Sequence, residues 1–272
     1  MASKELSFGK FSSNAFYSAL NGRLVDLAEI GSGQTIVDLA CGTGGVTALI
    51  AERLRGACDS AVIGIDQSSV ALRQAMENLN DVGHAAVRFV QSRVEQMSEP
   101  VKDAVDTVFY FNAIHYLSDK DSVVSEVSKL LKPGGKFVFN TSFFEGGQPE
   151  ETMLFYRKWM FKTARILRKN YRLRPQKSDK VESRKHLTAD EYRMLVEAHG
   201  MKVKQEKIDP VPVPLEGWLD ISTFEDFILG TVPGVPLTEA SESLQQAARE
   251  TFDELELDYV SRNWLGIVAV RV

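Results

Sequence analysis

Apolar residues along the chain keep two rhythms. Phe16, Leu20, Leu24, Leu27 and Ile30 recur at helical spacing and stop at Gly31 and Gly33, which predicts a helix over 14–30. Short apolar runs then alternate with amphipathic stretches. TIVDLA (35–40), AVIGID (61–66), Ala85 to Gln91, Ala104 to Asn112 and KFVFNTSFF (136–144) predict strands; the fourth carries the dense apolar run expected of a buried parallel strand. VTALIAERL (46–54), Ser68 to Val82 behind its serine caps, and Asp119 to Leu131 predict the helices between them. Pro133-Gly134-Gly135 predicts a turn before the fifth strand. Such alternation predicts an α/β fold: a parallel sheet covered by helices on both faces.

The rhythm changes after Phe144. Residues 150–175 predict one long helix outside the sheet. Thr188-Ala189-Asp190-Glu191 is a capping box that opens a helix ending at Gly200. MKVKQEKI (201–208) predicts a strand, whereas the prolines of DPVPVP (209–214) exclude that segment from a central strand. Residues 215–260 are again helical and loop-like, and WLGIVAVRV (264–272) predicts a closing strand. The expected organisation is one domain over 1–272. Its core comprises 1–144, 188–214 and 261–272, with cap insertions at 145–187 and 215–260. Insertions placed this way commonly cover a ligand crevice.

Composition narrows the class. With 44% hydrophobic residues the chain can bury a large core, and a formal net charge of −5 speaks against a general nucleic-acid binder. No apolar run is long enough to span a bilayer, and the first twenty residues lack the form of a signal peptide. Cys41 and Cys58 have neither disulfide-framework nor metal spacing. The expectation is a soluble, cytoplasmic protein without a metal site, in which Cys41 is a small residue packed in a loop.

The stretch VDLACGTGG (37–45) carries the first chemistry. Glycines after a first strand let backbone approach a ligand closely. A dinucleotide loop would read G-x-G-x-x-G, but after Gly42 and Gly44 the third position is Thr47. Asp38 stands four residues before Gly42. A carboxylate there would repel a pyrophosphate and attract an amine, which favours a ligand with an α-amino group and one nucleoside. VDLACGTGG resembles the first motif of class I S-adenosylmethionine-dependent methyltransferases. IGIDQS (63–68) resembles their second motif, DTVFYFNAIHYL (106–117) their fourth, and LLKPGGKFVF (130–139) their turn and fifth strand. The four occur in order over roughly residues 35–144.

That resemblance implies a Rossmann-like, seven-stranded, mostly parallel sheet whose last strand runs antiparallel, with a helical cap. It implies S-adenosylmethionine as cofactor and S-adenosylhomocysteine as product. Asp38, Ala40, Gly42 and Gly44 would hold the methionine end, and Asp66 and Gln67 the ribose and adenine. Asn112 would line the cofactor through its backbone, and Tyr17 would close over it. Many relatives carry an acid reaching the adenine amine where this chain has Arg93, and an arginine cannot accept a hydrogen bond. Arg93 and Val94 are then neighbours of adenine, with the Val94 backbone, Ser92 or Glu95 as the replacement acceptor. His115 is the expected general base, with a structural or pocket-wall role as its rival, and Tyr116 would face the acceptor beside it. His186 is a further pocket candidate; His84 and His199 are expected at the surface.

The implied reaction is methyl transfer to a small, hydrophobic metabolite, with O-methylation of a hydroxylated aromatic or polyketide-like compound first. C-methylation of an isoprenoid diphosphate, in a version needing Mg²⁺, is second. A non-methylating binding protein and a nicotinamide oxidoreductase are the rivals from other classes. The missing Asn/Asp-Pro-Pro-Tyr and Pro-Cys motifs speak against nucleic-acid substrates. Residues 153–174 pattern as a basic amphipathic helix, its cations from Arg157 to Arg172 within an arc of roughly 140°. Phe155 and Trp159 could roof a substrate, while the cations could meet a substrate anion, a carrier protein or a membrane surface. Oligomeric state is not legible.

Overall fold

The structure is a computed structural model that describes residues 9–79, 86–176 and 185–272. His84 and Lys177 lie outside them. Two short N-terminal helices, α1 (Gly9–Ser12) and α2 (Ala15–Leu27), precede β1 (Thr35–Leu39), α3 (Gly45–Arg53), β2 (Ala61–Asp66), α4 (Ser69–Asn78) and β3 (Ala86–Gln91). Next come β4 (Val105–Phe111), α5 (Lys120–Leu130), β5 (Leu131–Thr141), α6 (Met153–Ile166) and α7 (Ala189–Ala198). The chain ends with β6 (Met201–Pro214), α8 (Leu215–Ile221), α9 (Glu225–Thr231), α10 (Leu237–Leu255) and β7 (Tyr259–Arg271).

The seven strands form one sheet in the order β3-β2-β1-β4-β5-β7-β6. β1 to β5 pair in parallel, and β7 runs antiparallel to both β5 and β6. The order reverses between β1 and β4, so a crevice opens beyond their carboxyl ends. No helix among the described residues is long and apolar enough to cross a membrane.

Two elements depart from the expectations, and a third meets its own in an instructive way. Pro133-Gly134-Gly135 does not precede β5 but bulges out of it: Val105 pairs with Leu131 and Thr107 with Lys136, with Gly134 at φ 78°. DPVPVP is kept out of the centre of the sheet, as its prolines require: it extends β6, which lies at the sheet edge. Pro210, Pro212 and Pro214 alternate with Val211 and Val213, so the missing donors all face away from β7. The long helix over 150–175 is shorter: α6 ends at Ile166, passes into a π turn over Leu167–Tyr171 and stops at Arg172 with φ 58°.

The face expected to roof a substrate is core instead. Phe155 and Trp159 are buried against Trp218, Phe252 and Phe227 from the second insertion. Three cations of the basic face meet acids of the same chain. On α10, Glu254 pairs with Lys158 and Lys162, and Glu250 with Arg165 at 3.0 Å. The two lysines pull the Glu254 carboxyl down to about 2. The first insertion therefore buttresses the second.

Candidate active site

The crevice at the switch point is a cleft of about 580 Å³. Of the expected cofactor residues, Asp38, Ala40, Gly42, Asp66, Gln67, Arg93, Val94, Asn112 and Tyr17 all line it, and so does Tyr116. Gly44 and His115 do not.

The glycine loop is held by the acid that ends the second strand. Asp66 ends β2, and its Oδ2 accepts the Gly42 N–H at 2.9 Å while its Oδ1 accepts the Ser68 N–H at 2.8 Å. One carboxylate thus fixes both loops and keeps a lone pair on each oxygen for a ligand. A Cβ at Gly42 or Gly45 would meet nothing within 4 Å, so open space lies against the loop backbone. Gly44 serves packing instead. Its φ is 84°, and a Cβ there would stand 2.7 Å from Leu79 and 3.1 Å from Ala75.

Asp38 is almost fully buried, and its Oδ2 accepts from the Thr47 hydroxyl at 2.6 Å. Thr47, the residue that breaks the dinucleotide pattern, is therefore the partner of the acid that argued against a dinucleotide. Burial pushes the Asp38 carboxyl up to about 7, opposed by the Thr47 hydrogen bonds and aided by the charge of Asp66. A buried carboxyl of this kind favours a cationic neighbour. With the open space along the glycine loop, it fits an α-ammonium and a single nucleoside.

A chain of amides, not anticipated from sequence, sets the other wall. Asn140 Nδ2 donates to Asn21 Oδ1 at 2.8 Å, and Asn140 Oδ1 accepts the Asn112 N–H at 2.8 Å. This ties α2 to the ends of β5 and β4, where Asn112 adopts φ 51°, a conformation asparagine tolerates. Ala40, after the adjacent β1, is also left-handed at φ 53°. Tyr17 is buried over the cleft, and burial raises its hydroxyl above the ordinary range.

Glu95 lines the cleft, whereas Ser92 does not. Arg93 pairs with Glu95 at 3.4 Å; against the effect of burial, that hydrogen bond and charge hold the Glu95 carboxyl below its usual value. Cys41 is buried, and burial raises its thiol beyond the ordinary range, as suits a packed residue.

His115 is turned away from the cleft. It is buried, stacks on Phe143 at 4.3 Å, and places Nδ1 2.9 Å from the Thr141 hydroxyl. Its ring lies 4.2 Å from that of Tyr116, so it backs the residue that does face the cleft. His186 is exposed, does not line the cleft and meets the Phe143 ring at 6.4 Å; His199 lies 2.9 Å from Asp121.

Two carboxylates that sequence reasoning missed do reach the cleft: Glu225 and Asp226, at the start of α9. The adjoining Phe224 ring meets Tyr116 edge-on at 6.2 Å. Partial loss of water raises the Asp226 carboxyl above its ordinary value, and Glu225 adds to the effect.

A methyltransferase-domain family profile matches residues 30–200. The ubiquinone/menaquinone biosynthesis C-methyltransferase UbiE of Methylococcus capsulatus is 33% identical over 115 residues, 42% of this chain and 45% of that protein. The phosphoethanolamine N-methyltransferase of Triticum aestivum is 30% identical over 135 residues, 49% of this chain and 25% of that protein. The chain thus spans less than half the length of these curated relatives. The crystal structure of the [4+2]-cyclase SpnF superposes with a TM-score of 0.58 over 94% of this chain and 81% of that one, at 15% identity, a likeness of fold alone.

Proposed function

The chain belongs to the class I S-adenosylmethionine-dependent methyltransferases, and from that membership we propose that it methylates a small, apolar metabolite bound beside Tyr116, Phe224 and the α9 carboxylates. The observation that carries this reading is the cleft itself. At the switch point it joins a doubly anchored ribose-type acid, Asp66, to a buried carboxyl, Asp38, that favours a cation. When bound, S-adenosylmethionine supplies an electrophilic sulfonium methyl. Asp38 and the loop backbone at Ala40 and Gly42 hold the methionine end, and Asp66 and Gln67 hold the ribose and adenine. Glu95, kept ionised by Arg93, is the acceptor for the adenine amine beside Val94. Tyr17 and Asn112 shield the reacting end from water.

O-methylation of a hydroxylated aromatic remains the first reading for the acceptor, with the proton taken at a different residue. Asp226 stands on the cleft and holds its proton above the ordinary carboxylate range, which suits a base for an acidic hydroxyl. His115 acts through Tyr116 as a positioning residue. C-methylation is the second reading, supported by the activity in the name of the UbiE relative. The diphosphate version loses part of its support, because three of the cations it would use, Lys158, Lys162 and Arg165, already meet acids of α10.

The test is calorimetric titration with S-adenosylmethionine, S-adenosylhomocysteine and NADH, followed by turnover with a panel of phenols. The first two ligands should bind and NADH should not. Glu95→Ala should weaken binding about tenfold, the worth of one charge-assisted hydrogen bond. Asp226→Asn should leave binding intact and slow turnover about a hundredfold. Binding without S-adenosylhomocysteine release from any acceptor would favour the non-methylating rival; NADH binding would overturn the cofactor assignment.

Asp38 gives a pH signature. Its folded-state pKa lies above its unfolded value, so the ligand-free fold loses stability as pH rises from about 4 towards 7. A bound ammonium favours the carboxylate, so binding expels a proton below about 7. Affinity should therefore fall as pH drops from 7 to 5.5, approaching tenfold per unit. Asp38→Asn should flatten that profile. A flat profile in the unsubstituted protein would mean that Asp38 does not meet the amine.

A further inference from the structure

Behind the cleft lies a second, smaller void of about 20 Å³, room for one small polar group. Asn112 lines both voids. Most of the small void is apolar, walled by Phe143, Trp218 and Phe227 among others. Two of its polar walls come from β7 and sit oddly in such surroundings.

Arg262 is one. It is only 6% exposed, and it donates to the Ser142 carbonyl at 2.9 Å and to the Tyr156 hydroxyl at 3.1 Å. Its guanidinium carbon lies 4.9 Å from the centroid of the Phe143 ring. No carboxylate among the described residues pairs with it, whereas Lys158 and Arg165 of α6, both more open to water, find acids on α10. Trp264 is the other. Its indole Nε1 is buried and has no hydrogen-bond partner among the described residues. A guanidinium taken out of water without a counter-charge is costly, and so is a buried donor left unbonded. Both donors border the same void. A trapped water would satisfy Trp264 but would leave the charge of Arg262 uncompensated.

We propose that this void is the inner end of the acceptor site and takes a carboxylate borne by the substrate, held by Arg262 and the Trp264 indole N–H. The inference rests on the small-molecule reading above and narrows it: the acceptor is an aromatic or similarly apolar acid. Its carboxylate is buried past Asn112, and its body lies in the cleft beside Tyr116. The void, about one water in size, has room for the oxygen end of a carboxylate and is too small for a diphosphate. The aromatic walls fit a flat ring behind the charge, and the guanidinium supplies the paired donors that a carboxylate matches.

The test uses benzoate as probe, with benzamide as its neutral counterpart of the same shape. Both are titrated into the free protein and into protein saturated with S-adenosylhomocysteine, read by calorimetry and thermal unfolding. Benzoate should bind at least tenfold tighter than benzamide. Arg262→Met should remove that preference, and Arg262→Lys should restore part of it. Trp264→Phe keeps the ring and removes the N–H, and should weaken benzoate several-fold without changing benzamide. It also guards against failure of the arginine variants to fold. Equal binding of the two probes, no binding of benzoate, or benzoate affinity unmoved by Trp264→Phe and Arg262→Lys would overturn the proposal and leave a water as the occupant. If benzoate binds as expected and S-adenosylhomocysteine does not, the cofactor reading falls and the carboxylate site stands. If S-adenosylhomocysteine binds and benzoate does not, the carboxylate site falls alone.

Discussion

Replacing Asp66 by alanine should cost the protein its S-adenosylmethionine affinity by a factor of about a hundred or more. Two losses add. The proposed ribose contacts go to a charged acceptor, and each such hydrogen bond is worth about 1.5–3 kcal/mol; two of them span a hundredfold in affinity at about 1.4 kcal/mol per tenfold. The same substitution frees the N–H groups of Gly42 and Ser68, so the glycine loop is no longer tied to the turn after β2. Asp66→Asn separates the two effects. The amide keeps one acceptor oxygen and loses the charge, so it should retain part of the loop geometry and an intermediate affinity. Calorimetry gives the affinity, and protection of the Gly42 and Ser68 amides from hydrogen exchange gives the state of the loop. Full affinity in Asp66→Ala would remove the cofactor assignment from this acid.

The largest effect on stability should come from Trp159. It is 1% exposed, donates its Nε1–H to the Leu244 carbonyl at 2.8 Å, and stacks on Phe155 and Phe227. It joins the first insertion to α9 and α10. Trp159→Ala should destabilise the fold by about 3–5 kcal/mol, through the lost transfer energy and the cavity left behind. In a protein of this size the unfolding midpoint should fall by on the order of 10 °C. Trp159→Phe fills most of the space and loses chiefly the hydrogen bond, so its cost should be about 1 kcal/mol. A small effect of the alanine variant on cofactor affinity is also expected, because no described residue of the first insertion lines the cleft. A stability loss below about 1 kcal/mol would mean that the cap collapses onto the gap.

The core of the fold was legible because its signals are local. Alternation of apolar runs and amphipathic stretches marks each strand and helix within ten residues. The glycine loop, Asp38, Asp66 and Asn112 carry their meaning in the residues beside them. What escaped depends on distant residues. His115 reads as a base beside the cleft, but Phe143 and Thr141, a strand away, draw its ring inwards. Nothing in Phe224-Glu225-Asp226 announces that the turn into α9 reaches Tyr116, more than a hundred residues earlier. The basic face of α6 reads as a site for an outside anion until Glu250 and Glu254, one helical turn apart on α10, are brought against it. Arg262 lies just before the closing strand read from sequence, and the groups that surround it, Ser142, Phe143 and Tyr156, stand more than a hundred residues earlier.

The prolines of β6 bear on how two copies of this chain can meet. An edge strand ordinarily offers a row of N–H groups to any strand that drifts alongside. Along Pro210, Pro212 and Pro214 that row has no hydrogens to give. A second copy cannot extend the sheet through this part of the edge, even though Val211 and Val213 give the strand a strong apolar face towards its own cap. The segment whose prolines bar it from the centre of the sheet therefore closes the sheet to templated growth on the side where its apolar content would otherwise invite it.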